Sequence, residues 1–102
     1  MKIILQDAYL SSIATPNELV GKQKYPAEVV LKFRQRIFQI SEAKNVQDLR
    51  TIKSFHLEKL KEPRFKDKYS IRLNKAYRLI FSIKHEKVIE IVVIEEINNH
   101  YG

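Results

Sequence analysis

The apolar residues of this chain change their period part-way along, and that change limits the folds open to it. In the first half they recur at helical spacing, with Val30, Phe33, Ile37 and Ile40 separated by 3, 4 and 3 positions. From Phe55 onward they alternate with polar residues: Tyr69, Ile71 and Leu73, then Tyr77, Leu79, Phe81 and Ile83. The first pattern buries one side of a helix, the second one side of a strand. Helices followed by closely connected strands predict an α+β fold, with N-terminal helices packed on one face of a small, twisted antiparallel β-sheet.

The local signals fill in that plan. Residues 2–6 (KIILQ) read as a strand. Asp7 caps a short helix to about Ile13, with Tyr9, Leu10 and Ile13 on one side. Thr15, Pro16 and Glu18 form a capping box that starts another helical turn ending near Gly21. The clearest helix covers 26–41, with Pro26 at its first position. Leu31 and Phe38 widen its apolar stripe, while Lys32, Arg34, Gln35, Arg36 and Gln39 lie mostly on its wetter face. Asn45 caps a short helix over 46–50. Residues 55–60 form a strand or an extended arm, and strands follow at 69–73, 77–83 and 88–94, connected through 74–76 and 84–87 and paired antiparallel.

At 102 residues, with 44% hydrophobic content, two glycines and three prolines, the chain reads as a single domain, 1–102, with one modest core. It has no cysteine, which excludes disulfides, thiolate metal sites and cysteine nucleophiles. The opening MKIILQDAYL is too polar for a signal peptide, and the longest apolar run, VIEIVVI, is interrupted by Glu90. A soluble, cytoplasmic protein is expected, with no membrane partner. The net charge of +7 is concentrated between Lys53 and Arg78, where nine Lys/Arg face three acids. Such a cluster is the footprint of a polyanion-binding surface, or else a solvated basic face.

Alternation places Ser70 and Arg72 on the strand face opposite Tyr69, Ile71 and Leu73, and Arg78, Ile80 and Ser82 opposite Tyr77, Leu79 and Phe81. A hairpin can then bring Arg72 and Arg78 together, which costs free energy unless an anion lies between them. The competing arrangement offsets them with Glu90, Glu95 or Glu96. His56, His85 and His100 are far apart and no two have i, i+4 spacing, so a metal is not expected, nor any other cofactor. His85 reads as solvated, His56 as structural or ligand-contacting, and His100 as a functional tail residue or part of a frayed end. Glu58 offers a proton acceptor and His100 a proton donor near neutral pH. Arg72 and Arg78 could stabilise the extra negative charge of a pentacoordinate phosphorane. This inventory suits metal-free RNA cleavage, in which the 2′-hydroxyl is the nucleophile.

The segments LEKLK (57–61), YSIRLNKAYRLIF (69–81) and the terminal NNHY (98–101), with KYPAEVVLKF (24–33) ahead of them, resemble the RelE/ParE superfamily of bacterial toxin–antitoxin toxins, and within it the HigB-like "killer protein" branch. The resemblance covers nearly the whole chain. It implies a RelE-like fold, metal-free cutting of mRNA on translating ribosomes, and a cognate antitoxin that blocks the toxin; the basic faces would hold ribosomal RNA and message. Arg78, in YRLIF, matches the arginine at the scissile phosphate of YoeB-type relatives. His100 and Tyr101 match their C-terminal general acid and base-stacking residue. Glu58 aligns with the acidic residue proposed as base there, a position that is histidine in several HigB proteins, and His56 is near enough to replace it. Arg72 and Lys61 match supporting basic residues, and Lys59 and His56 complete the expected RNA-binding set. The segment EPRFKDK (62–68) lacks the glycine common in that loop. Two other readings share the fold or the charge: a ParE-like, non-enzymatic gyrase inhibitor, and an inactive basic nucleic-acid-binding module.

Overall fold

The computed structural model describes residues 1–15 and 23–99. The order is β1 (Lys2–Leu5), α1 (Ala8–Ile13), α2 (Ala27–Glu42), α3 (Val46–Arg50), a 3₁₀ turn at Lys53–Phe55, β2 (Glu58–Lys59), a second 3₁₀ turn at Pro63–Phe65, β3 (Lys68–Arg72), β4 (Arg78–Glu86) and β5 (Ile89–Asn98). The strands form one five-stranded sheet in the order β1-β5-β4-β3-β2. The α+β layout is the expected one. The sheet is mixed, however: β1 runs parallel to β5, Lys2 beside Ile91 and Leu5 beside Ile94. All the helices lie between these two strands, and a long crossover of that kind allows parallel pairing where a hairpin cannot.

Asp7 caps α1 by accepting from the Leu10 amide at 2.9 Å, and Asn45 caps α3 by accepting from the Asp48 amide at 3.1 Å. Pro26 is the N-cap of α2 and not its first helical residue. The Thr15–Glu18 capping box and the turn ending near Gly21 fall almost wholly on residues 16–22, outside the described residues. The core lies between the helices and one face of the sheet, and joins Leu10, Ile13, Val29, Phe33, Ile40 and Leu49 to Ile71, Leu73, Leu79, Phe81, Val92 and Ile94.

Two assignments on α2 are overturned. Leu31 and Phe38 are 63% and 64% exposed on the back of the helix, and Arg36 is only 5% exposed. The helical angle explains both. At 100° per residue Leu31 and Phe38 fall almost opposite Phe33 and Ile40, whereas Arg36 falls beside them.

The strand limits also differ from the alternation. The β4–β5 hairpin is longer than expected, and its two-residue turn is Lys87–Val88. Lys87 takes the positive φ of 58° that this turn requires. Strand β5 continues to Asn98 through a bulge: Phe81 pairs with Ile94 and Ile80 with Glu96, so Glu95 has no partner across the ladder. In the loop 62–68 the positive φ that glycine would serve is taken by Asp67, at 63°.

Tyr25 lies between Tyr9 and Tyr77, with ring centroids 6.0 and 6.1 Å away. Burial raises its pKa, and the nearby Asp7, Tyr9, Glu96 and Tyr77 add to the effect. A raised folded-state pKa favours the neutral phenol. The stabilisation is complete below the unfolded tyrosine value of about 10 and is lost as pH rises through the folded value. Urea unfolding of wild type and Tyr25→Phe at a series of pH values will therefore show the wild type losing stability relative to the variant only above about pH 10. In the same assay Phe33→Ala will cost about 3–5 kcal/mol, and Phe38→Ala no more than about 0.5 kcal/mol.

Candidate functional site

The second face of the sheet carries the site. The β3–β4 hairpin is closed by Asn74, whose Oδ1 accepts from the amides of Ala76 and Tyr77 at 2.8 Å each. That closure sets the register in which Arg72 stands directly opposite Arg78. The two arginines share a face, as alternation requires, with Asn98 next in the row across β5.

Arg78 is built into the floor and only 4% exposed. Its Nε donates to Ser70 Oγ at 2.8 Å and its Nη2 to the carbonyl of His56 at 2.8 Å. Ser70 is itself fully buried. The Glu58 carboxylate stands 4.0 Å from Nη2 at the rim, 61% exposed. These contacts leave Nη1 for a ligand. A cleft of about 240 Å³ opens over this group, lined by Glu58, Leu60, Lys61, Glu62, Phe65, Ser70, Arg78, Ile80 and Asn98. Leu60, Phe65 and Ile80 give it apolar walls around the buried guanidinium, and Glu58, Lys61 and Glu62 add charge, the usual build of a site that orients one polar group.

His56 forms the wall beside the cleft. Its backbone is left-handed (φ 46°, ψ 52°), and both of its peptide groups are bonded: the amide to Lys53 O at 3.1 Å and the carbonyl to Arg78. His56 also lines a separate recess, together with Arg50, Ile52, Lys53 and Leu57. Arg72 reaches its ring, with Nη1 3.4 Å from His56 Nε2, while its own Nε is buried and has no partner among the described residues.

The structure thus brings together Glu58, Lys61 and Arg78 in one cleft, with Arg72 and His56 at its edge. Lys59 is not in that group. It alternates with Glu58 onto the helix-bearing face, where its Nζ lies 6.0 Å from the Tyr69 ring. His100 and Tyr101 lie outside the described residues. The carboxylates that could have offset the arginines are engaged elsewhere. Glu95 pairs with Lys68 at 2.6 Å, and Glu90 with His85 at 3.4 Å and with the Val46 amide at 3.1 Å. Glu96 accepts from Asn98 Nδ2 at 3.3 Å. Among the described residues no three His, Asp or Glu side chains converge as a metal site.

Two cleft residues escaped the sequence reading. Counting by twos from Ile94 puts Asn98 in the core; the bulge at Glu95 shifts the phase and puts it in the cleft. Ser70 was on the right face, but nothing local marks it as the support of Arg78. A third residue acts from below. Arg36 donates from Nε to the Arg72 carbonyl at 3.0 Å and from Nη2 to the Ser54 carbonyl at 3.1 Å, and stacks over Phe55 at 4.7 Å. Burial lowers its pKa, but an arginine stays cationic through the physiological range. It fixes the strand end that carries Arg72 and the turn that carries His56.

The profile of the HigB-like toxin family, described as the RelE-like toxin of the type II toxin–antitoxin system HigB, matches residues 16–95. The chain belongs to the HigB-like toxin family. An uncharacterized protein of Haemophilus influenzae is 38% identical over 65 residues, which is 64% of this chain and 63% of that protein's length. The YoeB/ParE toxin from Agrobacterium tumefaciens is similar in structure, with a TM-score of 0.60 and 13% identity over 99% of this chain and 100% of that one. At that identity the likeness establishes the shared fold. The RelE/ParE superfamily assignment and its HigB-like branch therefore hold. Among the described residues no helix is long and apolar enough to cross a membrane.

Arg36→Met will lower the stability of this HigB-like chain by about 2–3 kcal/mol, because it leaves two carbonyls without their donor. Arg36→Lys will recover only part of the loss, because an ammonium cannot span both carbonyls as the fork does. Thermal and urea unfolding check both values.

Proposed function

We propose that the chain is the toxin of a type II toxin–antitoxin pair and acts as a ribosome-dependent mRNA endonuclease in the cytoplasm. The carrying observation is Arg78, a buried guanidinium fixed by Ser70 and the His56 carbonyl at the floor of a cleft and paired, among the described residues, only with a rim carboxylate 4.0 Å away. Holding a cation dry is costly, and a scissile phosphate would make use of it. HigB-like toxins are generally endoribonucleases, which supports the same reading.

In this mechanism Glu58 takes the proton of the ribose 2′-hydroxyl. The 2′-oxygen forms a bond to the adjacent phosphorus, the bond from phosphorus to the 5′-oxygen breaks, and His100 gives that oxygen its proton. The products are a 2′,3′-cyclic phosphate and a 5′-hydroxyl. Arg78, with Arg72 and Lys61, stabilises the phosphorane, and Tyr101 stacks on a base. Glu58 is favoured over His56 as base because its carboxylate stands 4.0 Å from Arg78 and it lines the Arg78 cleft, while His56 lines the neighbouring recess. The partners are the ribosome with its message and a cognate antitoxin that neutralises the toxin.

Purified toxin added to a translation extract tests this. Wild type will cut messages within codons. Arg78→Lys and His100→Ala will each slow cleavage by about 10²–10⁴-fold while melting cooperatively, and Glu58→Gln by a similar factor. Full activity in all three variants would sink the mechanism. Intact mRNA accompanied by a DNA-damage response on expression would instead favour gyrase inhibition, the ParE-like action.

A further inference from the structure

The recess beside the cleft has its own chemistry. It holds about 230 Å³ and is lined by Arg50 from the end of α3, Lys53 from the first 3₁₀ turn, His56, and the half-buried Ile52 and Leu57. Two permanent cations and an imidazole face it, and its lining includes no carboxylate. Apolar walls around like charges concentrate the positive potential that an anion meets. The recess is also joined to the cleft. Arg72 stands opposite Arg78, and its guanidinium reaches the His56 ring at 3.4 Å. Since a guanidinium can only donate, His56 Nε2 accepts there, which places the ring proton of the neutral form on Nδ1. Arg72 Nε is buried with no protein partner among the described residues. His56 therefore joins the two: its carbonyl holds the cleft arginine, its ring meets Arg72, and the residue lines the recess.

We infer that the recess formed by Arg50, Lys53 and His56 is a second phosphate site, which holds a backbone phosphodiester flanking the one at Arg78. The inference rests on RNA as the substrate and deepens that reading. A single-stranded RNA crossing the sheet face would place one phosphate over Arg78 and a neighbouring one in the recess, with Arg72 between them. Its bases would stay out of the recess, so the contact adds affinity and register without sequence preference. The recess takes no part in bond breaking.

The test uses the full chain and a short single-stranded RNA with 2′-O-methyl riboses, which binds but cannot be cut. Affinity is measured over a series of salt concentrations. Each phosphate contact on a single strand contributes about 0.7 to the slope of log K against log salt. The double variant Arg50→Gln/Lys53→Gln will lower that slope by about 0.7 and weaken binding at low salt by about 10-fold. Its single-turnover rate of cleavage at saturating message will match wild type. Chemical shifts of Arg50, Lys53 and His56 will move on titration with inorganic phosphate, and those movements will vanish in the double variant. An unchanged slope and affinity overturns the site. So does a double variant that binds RNA normally but loses affinity for the antitoxin, since the recess would then take protein carboxylates. Failure of wild type to cut any message is a separate outcome: it removes the nuclease reading, while the salt slope still decides the recess.

Discussion

The Arg36 guanidinium lies between α2 and the sheet, and the rest of the site depends on the bonds it makes there. A buried charge is tolerable only when its donors are satisfied, because the cost of leaving water is several kcal/mol. Arg36 meets that condition with two backbone carbonyls, those of Arg72 and Ser54, and with the face of Phe55. A donor of this kind fixes its acceptors in return. The strand end at Arg72 and the turn at Ser54 are therefore held at a set distance, and His56 follows two residues later in a left-handed conformation. Its carbonyl then meets Arg78. Two buried arginines, one below the sheet and one on its far face, are linked through a few backbone groups.

That linkage explains how cations can be crowded on one face without collapse. Arg72 and Arg78 are cross-strand partners, an arrangement that repulsion disfavours. Their bonds to Ser70, to the His56 carbonyl and to the His56 ring spread the charge over fixed dipoles. Among the described residues Glu58 is the one carboxylate paired with either arginine, and at 4.0 Å with most of its surface exposed it contributes little. The face thus holds two fixed guanidinium groups with little countercharge among the described residues. A cleft built this way gives up stability to keep a cation buried, a balance common at functional sites.

The two sides of the chain are chemically distinct. The sheet face that carries Arg72 and Arg78 is recessed and charged. The back of α2 exposes Leu31 and Phe38, apolar and two helical turns apart. The β-bulge at Glu95 belongs to the first side. By adding one residue to β5 it keeps Ile97 in the core and delivers Asn98 to the row of Arg72 and Arg78.

The sequence by itself determined the fold class, most of the elements and the pairing of Arg72 with Arg78. All of these follow from the period of apolar residues, from capping side chains and from the alternation of a strand, which are local properties. Glu58, Lys61 and Arg78 could be grouped only by their chemistry and the family resemblance. Only the tertiary structure decided the rest. It placed β1 parallel to β5, buried Arg36 and exposed Phe38, turned Lys59 away from the cleft, and moved Asn98 into it through one unpaired residue. Each of these depends on what stands across from a residue in space. A helix wheel cannot tell a buried guanidinium from a solvated one until two carbonyls are brought to it, and no count along a strand reveals the bulge that shifts its phase.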